Sequence, residues 1–144
     1  MEIREVLKHR YPMLMVDKVI KSEYMKYSVT QKNVSYNEPW VMGHYPEKPI
    51  MPGVYLLEIM AQSSTFILVD ENKKLDKVGF LAAVERAKFI KPVFPGDVIV
   101  INSKLDEYIS DYVKISAECT VDGKKVAVCK LSYVLRDNND QLKK

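Results

Sequence analysis

Cysteine, histidine, tryptophan and glycine are all scarce in this chain: two, two, one and five residues among 144. Two cysteines supply no disulfide scaffold, and two histidines without clustered Cys or His spacing give a structural zinc site no support, so no metal is expected. Neither sign of charge dominates. Against 22 Lys and Arg stand 19 Asp and Glu, a formal net charge of +3, and the lysines are scattered, which argues against nucleic acid as a partner. Such a small surplus would suit an acidic protein partner. The first residues, Met1-Glu2-Ile3-Arg4-Glu5, mix charges without an apolar core, so no export signal is expected and the cytoplasm is the expected location. The apolar run over residues 53–69 carries Glu58, Gln62, Ser63, Ser64 and Thr65 and leads into Asp70 and Glu71, so no membrane span is expected.

What is present suffices for one domain over residues 1–144, since a chain of this length buries roughly 68 to 70% of the surface its unfolded form exposes. There is no repeat, low-complexity segment or linker, and the polar end from residue 136 to 144 is expected to fray. Residues 1–8 read as a short helix closed by Tyr11-Pro12, because the residue before proline avoids helical geometry. Residues 13–34 read as strand, with Lys21-Ser22-Glu23 as the break. Four prolines and one glycine over residues 37–52 predict an irregular, fixed segment. Pro52-Gly53 then opens a helix over residues 54–69, apolar round most of its circumference and so buried, with Glu58, Gln62 and Thr65 within about 60° of one another.

Four strands are expected after a polar loop: residues 78–89, 97–105, 108–121 and 125–135. The alternation Val113, Ile115, Ala117, Cys119, Val121 against Tyr112, Lys114, Ser116, Glu118, Thr120 predicts one buried and one wet face. Asp122-Gly123 marks a hairpin turn. A two-residue loop would set Ile115 opposite Lys130. A three-residue loop sets it opposite Leu131 and Val113 opposite Tyr133, keeping apolar residues on one face, and is the preferred register. Cys119 and Cys129 would then be diagonal neighbours about 7 to 8 Å apart, beyond disulfide reach, and serve as small core residues. One long buried helix and four or more long strands in sequence order define an α+β chain, an antiparallel sheet curled around its helix.

Two residues carry the chemistry. Glu58 is the single carboxylate in an uncharged stretch over residues 49–69, and a lone buried ionisable group is costly unless used or paired. His44 lies in the turn Gly43-His44-Tyr45-Pro46 ahead of it. A lone histidine in a turn is commonly structural, and a buried glutamate can be neutralised by a hydrogen bond; the two read as a site only in combination. The surrounding residues are His9-Arg10-Tyr11-Pro12, Val16-Asp17, Asn37-Glu38-Pro39, Gly43-His44-Tyr45-Pro46, Lys48-Pro49-Ile50-Met51-Pro52-Gly53-Val54, Glu58, Ala61-Gln62, Lys91-Pro92-Val93 and Pro95-Gly96-Asp97. In this order and spacing the chain resembles the FabZ-type 3-hydroxyacyl-[acyl-carrier-protein] dehydratases, from about residue 7 to residue 135.

The resemblance implies a hotdog fold and a homodimer whose two active sites each combine the histidine of one subunit with the glutamate of the other, with a homohexamer, a trimer of dimers, as the larger assembly common in the family. It implies dehydration of a (3R)-3-hydroxyacyl thioester to the trans-2-enoyl product in fatty-acid biosynthesis, a lyase activity of lipid metabolism. His44 would be the base, as the side-chain type that most readily accepts a proton near neutrality, and Glu58 the acid, its apolar surroundings favouring the protonated form. The N–H groups of Gly53 and Val54 at the helix start would meet the thioester oxygen, with Gly53 allowing close approach. Gln62, one turn after Glu58, would orient the carboxyl or its water. His9 and Arg10 match the pattern but are read as structural.

Substrate would arrive on the phosphopantetheine of an acidic acyl carrier protein, with no cofactor of the protein's own, and Arg86, Lys88 and Lys91 are the candidates to receive the carrier. Three departures stand out: Tyr45 where phenylalanine is usual, Glu47 where glycine is common, and Phe80 where many members carry a tyrosine that gates the acyl tunnel. Two rival readings remain: a bifunctional dehydratase that also isomerises the 2-trans double bond to 3-cis, and a non-catalytic hotdog module that binds acyl thioesters. A thioesterase would release free acid and thiol instead.

Overall fold

In the computed structural model, which describes residues 2–70, 72, 73 and 76–137, six strands form one antiparallel sheet around a single long helix. A one-turn helix α1 (Ile3–Val6) precedes β1 (Lys18–Glu23) and β2 (Tyr27–Asn33). After a 3₁₀ turn at Pro39–Met42 comes α2 (Gly53–Thr65), and then β3 (Lys77–Phe89), β4 (Val98–Ile109), β5 (Tyr112–Val121) and β6 (Lys124–Asp137). The strand order is β1-β2-β4-β5-β6-β3, so β3, which follows the helix, closes the far edge beside β6.

Helix α2 lies on the inner face of the sheet. Pro52 is its N-cap, where a missing N–H costs nothing, and Leu56, Ile59 and Met60 are buried against Ile101, Ile115, Leu131 and their neighbours. Its polar inward residues are satisfied by the sheet. The Ser28 hydroxyl donates to Ser63 O at 2.8 Å, Thr30 donates to the Ser63 hydroxyl at 2.7 Å, and the Ser64 and Tyr133 hydroxyls share a hydrogen bond at 2.8 Å. Cys119 and Cys129 are buried free thiols, and burial pushes Cys129 up to about 12 and Cys119 further in the same direction.

Several boundaries differ from those expected. The described N-terminal helix is a single turn ending at Val6, and the chain turns away well before Tyr11-Pro12. Lys21-Ser22-Glu23 is not a break but the end of β1; the hairpin turns at Tyr24, Met25 and Lys26, with Met25 at φ 57 and its N–H bonded to Ile67 O. Helix α2 stops at Thr65, and Phe66–Leu68 tightens into a 3₁₀ turn. Strand β4 runs on to Ile109 through a bulge between Leu105 and Glu107, so the turn expected at Asp106 and Glu107 falls at Ser110 and Asp111. Arg136 and Asp137 still pair with Val78 and Lys77, while the rest of the polar end lies outside the described residues.

The β5–β6 hairpin reconciles the two alternative registers. Its loop has two residues, Asp122 and Gly123, both at positive φ (49° and 73°), and Val121 pairs with Lys124. A bulge between Cys119 and Thr120 then shifts the register, so Ile115 faces Leu131 and Val113 faces Tyr133 as the apolar pattern requires. The extra residue, Val126, is buried rather than exposed.

Strand β3 is different in kind. It has one sheet neighbour, and Phe80, Leu81, Val84 and Phe89 are 41 to 52% exposed along an edge whose other backbone groups have no strand partner among the described residues. A long apolar edge of this sort is a ready pairing surface.

Candidate active site

Glu58 projects from the middle of α2 toward the N-terminal segment. Gln62, one turn on, donates its Nε2 to Glu58 Oε1 at 2.7 Å and to Met13 O at 2.6 Å, while its Oε1 accepts from Met15 N–H at 2.8 Å. A fully paired amide of this kind fixes the carboxyl against the backbone of residues 13–15. His9 Nε2 lies 3.3 Å from the same oxygen, Glu58 Oε1. The His9 hydrogen bond first, with Gln62 assisting and burial opposing, holds the Glu58 carboxyl below the usual glutamate value. The expectation that apolar surroundings would favour its protonated form is therefore reversed in this chain: two donors outweigh desolvation of a half-buried group.

His44 is held by a different set of bonds. Its backbone N–H reaches Trp40 O at 2.9 Å, closing the turn after the 3₁₀ helix, and its ring stacks edge-on with Tyr45, centroids 4.5 Å apart. Ring Nδ1 lies 2.5 Å from Ile50 O. A carbonyl only accepts, so Nδ1 carries a hydrogen, and in the neutral ring the lone pair able to take a proton is therefore on Nε2. Below this turn, Glu38 accepts from Ser35 N–H and from Trp40 Nε1, and its carboxylate meets Lys32 Nζ at 3.3 Å. Lys32 is a buried lysine whose ammonium also lies 3.6 Å from Asp17. Asp17 and Glu38 belong to the sequence motif without a task legible there, and Lys32 is signalled in the sequence only as a lysine at an inward-facing strand position.

The site residues fall into separate groups within one chain. His44, Gly53 and Lys91 line one depression of about 300 Å³ with Leu56 and Phe89. Glu58 follows Leu56 by two residues, about 200° around the helix, so His44 and Glu58 lie on opposite sides of α2 and share no hydrogen bond or ion pair. No side chain caps the helix start, and no acceptor within the chain meets the Gly53 or Val54 N–H among the described residues; Val54 is 66% exposed. A Cβ on Gly53 would lie 3.2 Å from the Phe89 ring, so tight packing against β3 favours glycine here. Phe80 is half exposed on the β3 edge. Arg86 and Lys88 do not join Lys91. They line a broad furrow across the outer face of the sheet with Lys21, Lys104 and Lys130, and none of these five has a carboxylate within ion-pair distance among the described residues.

A third cavity, about 200 Å³, opens at the C-terminal end of α2 between Thr65, Leu68, Val113, Ile115 and Leu135. Thr65 follows Glu58 by seven residues, nearly two full turns, and so shares its face of the helix.

An antiparallel sheet wrapped about one buried helix is the hotdog architecture. The chain superposes with a TM-score of 0.79 on the dehydratase heterocomplex ApeI:P from Xenorhabdus doucetiae, at 20% identity over 97% of this chain and 94% of that one. A hypothetical thioesterase with coenzyme A from Streptococcus pneumoniae gives 0.66, at 16% identity over 83% and 85%. At such identities the likeness defines a hotdog-fold protein and no more. A family model for the FabA-like domain matches residues 7–130. Proteins described as 3-hydroxyacyl-[acyl-carrier-protein] dehydratase FabZ are 40% identical in Dechloromonas aromatica (94% of this chain, 96% of that protein) and 42% in Ruminiclostridium cellulolyticum (93% and 94%). One from Thermus thermophilus is 39% identical, over 94% and 98%. The chain belongs to the FabA-like family, as a FabZ-type member.

Proposed function

We propose that this protein is a hydro-lyase that removes water from 3-hydroxyacyl-[acyl-carrier-protein], forming the trans-2-enoyl thioester in fatty-acid biosynthesis. Its FabZ-named relatives support the reaction class. The observation that carries the residue roles is the His44 tautomer: with Nδ1–H committed to Ile50 O, Nε2 is the base that takes the α-proton. The C2–H electron pair becomes the second bond between C2 and C3, the C3–O bond breaks, and the departing hydroxyl leaves as water with a proton from Glu58. Transfer from the resulting imidazolium back to the carboxylate, through solvent, resets the pair. Substrate covering Glu58 adds to its desolvation, the one influence acting upward, and so moves the carboxyl toward the protonated form this step needs. Charge growing on the thioester oxygen is met by the uncapped N–H groups of Gly53 and Val54 at the positive end of the helix dipole.

Because His44 and Glu58 face opposite sides of α2, the reading assigns each active site to two subunits, the histidine of one chain meeting the glutamate of its partner. The exposed apolar edge of β3 supports a homodimer, and a trimer of dimers is the proposed larger assembly. The cavity at the C-terminal end of α2, lined by Leu68, Val113, Ile115 and Leu135 together with the charged residues Asp70, Lys73, Asp76 and Lys77, is assigned to the acyl tail. An acidic acyl carrier protein is assigned to cations unpaired among the described residues, Lys91 in the depression that His44 lines and Arg86 and Lys88 on the outer furrow. The chemistry so written calls for no cofactor beyond the carrier's own phosphopantetheine. No helix among the described residues is long and apolar enough to cross a membrane, and the cytoplasm is the proposed compartment.

Mass spectrometry of a 3-hydroxyacyl carrier-protein series tests the proposal. Wild type is expected to yield trans-2-enoyl products, and His44→Ala and Glu58→Gln are each expected to lose at least about a hundredfold in rate. Undiminished turnover in either variant, or release of free acid and thiol, refutes it.

A further inference from the structure

Two donors converge on one oxygen of Glu58. Gln62 Nε2 is 2.7 Å and His9 Nε2 is 3.3 Å from Oε1, and no described residue bonds Oε2. The other nitrogen of His9, Nδ1, is buried and has no hydrogen-bond partner among the described residues. A doubly protonated ring would place a second N–H in that spot with nothing to accept it, whereas a ring protonated only at Nε2 leaves just a lone pair there. His9 itself is anchored through its neighbour: the Arg10 guanidinium donates to Leu7 O at 2.9 Å, His9 O at 2.7 Å and Arg4 O at 3.2 Å, which fastens the loop that carries the imidazole. Its structural reading from sequence thus omits its contact with the reacting carboxyl.

We propose that His9 is a positioning residue which, as a neutral Nε2–H donor, shares Oε1 of Glu58 with Gln62 and so reserves Oε2 as the oxygen that hands the proton to substrate. An oxygen already accepting two hydrogen bonds is the poorer site for a proton, and the open oxygen is the one a ligand can reach. The titratable groups facing the carboxyl within the chain are His9 from the N-terminal segment and Tyr133 from β6, whose phenol is itself held protonated by burial. Removing His9 leaves Gln62 to hold Oε1 alone, and the carboxyl gains freedom to rotate.

The proton-transfer step rests on the dehydratase reading; the coupling of His9 to Glu58 does not, and the experiment separates them. Carbon-13 NMR of glutamate-labelled protein follows the Glu58 carboxyl, assigned by its loss in Glu58→Gln, through a pH titration of wild type, His9→Ala and His9→Gln. The midpoint is expected to move to higher pH in His9→Ala and to return toward wild type in His9→Gln, whose amide offers an uncharged donor where Nε2 stood. Turnover of carrier-bound substrate is expected to fall about ten- to a hundredfold in His9→Ala and to recover in His9→Gln. An unchanged midpoint in His9→Ala, or His9→Gln behaving as His9→Ala, overturns the proposal. Nitrogen-15 shifts of the wild-type His9 ring at neutral pH decide independently of any variant: a ring protonated at both nitrogens, or only at Nδ1, also overturns it. Loss of the dehydratase reading with these NMR results intact would show in wild type alone, as absence of enoyl product.

Discussion

The Lys32 ammonium sits 3.3 Å from the Glu38 carboxylate with its side chain only 8% exposed, beneath the segment that presents His44. Glu38 in turn holds Ser35 N–H and the Trp40 indole, and Trp40 O receives the His44 N–H. A chain of bonds therefore leads from an inward-facing strand residue to the imidazole.

Breaking that pair from one side leaves a charge poorly solvated, which costs more than the intact pair contributes. Lys32→Met is expected to lower unfolding stability by about 3 kcal/mol and to reduce turnover through a loosened His44 turn. Lys32→Met combined with Glu38→Gln should recover part of the loss. Urea denaturation at fixed protein concentration checks both; a single variant as stable as wild type removes the clamp from the account.

Gly53→Ala tests a close approach. The added Cβ would stand 3.2 Å from the Phe89 ring, which is half exposed in the chain and lines the depression holding His44. The ring can yield by a few tenths of an ångström, so stability is expected to change by less than about 1 kcal/mol. Turnover is expected to fall about tenfold, because the shifted ring encroaches on the ligand approach and a small misplacement there is costly. Unaltered kcat/KM would show that the glycine serves packing alone.

Glu58 gives a signed prediction for pH. Its hydrogen bonds with His9 and Gln62 depress its pKa below the ordinary 4.5, so the native state gains stability from this group above the unfolded value and loses it as pH falls through the folded one. Unfolding measured from about pH 6 down to about pH 3 should therefore show a steeper decline in wild type than in Glu58→Gln, the difference developing below the ordinary glutamate value. Asp70 and Asp111, also depressed by their own partners, contribute equally to both proteins and cancel. Parallel curves would contradict the assignment.

Much of the architecture was legible because strands and helices bury apolar residues with fixed periods. The alternation over Val113 to Cys119 and the Pro52-Gly53 start located the body of β5 and the beginning of α2, although β5 starts at Tyr112 rather than residue 108 and α2 ends at Thr65 rather than residue 69; pairing of Ile115 with Leu131 followed from keeping apolar residues on one face. Turns were less legible. Met25, at φ 57, is not a residue that announces a left-handed conformation, so the β1–β2 turn was sought three residues early. The bulge beside Asp122-Gly123, whose extra residue Val126 follows the turn, carries no composition signal, and a loop of the wrong length was needed to explain a register that was right.

Residue periodicity by itself determined an α+β chain, because burial patterns and capping are local properties. The resemblance to the family was carried instead by the order of its motifs, with one acidic and one imidazole side chain at a set interval. Only the tertiary structure decided that Glu58 is held as a carboxylate, that His9 touches it, that His44 faces the opposite side of the same helix, and that Lys32 is sealed against Glu38. Those outcomes depend on distances between segments far apart in sequence, and hydrogen bonding and desolvation change over a single ångström that no periodicity encodes.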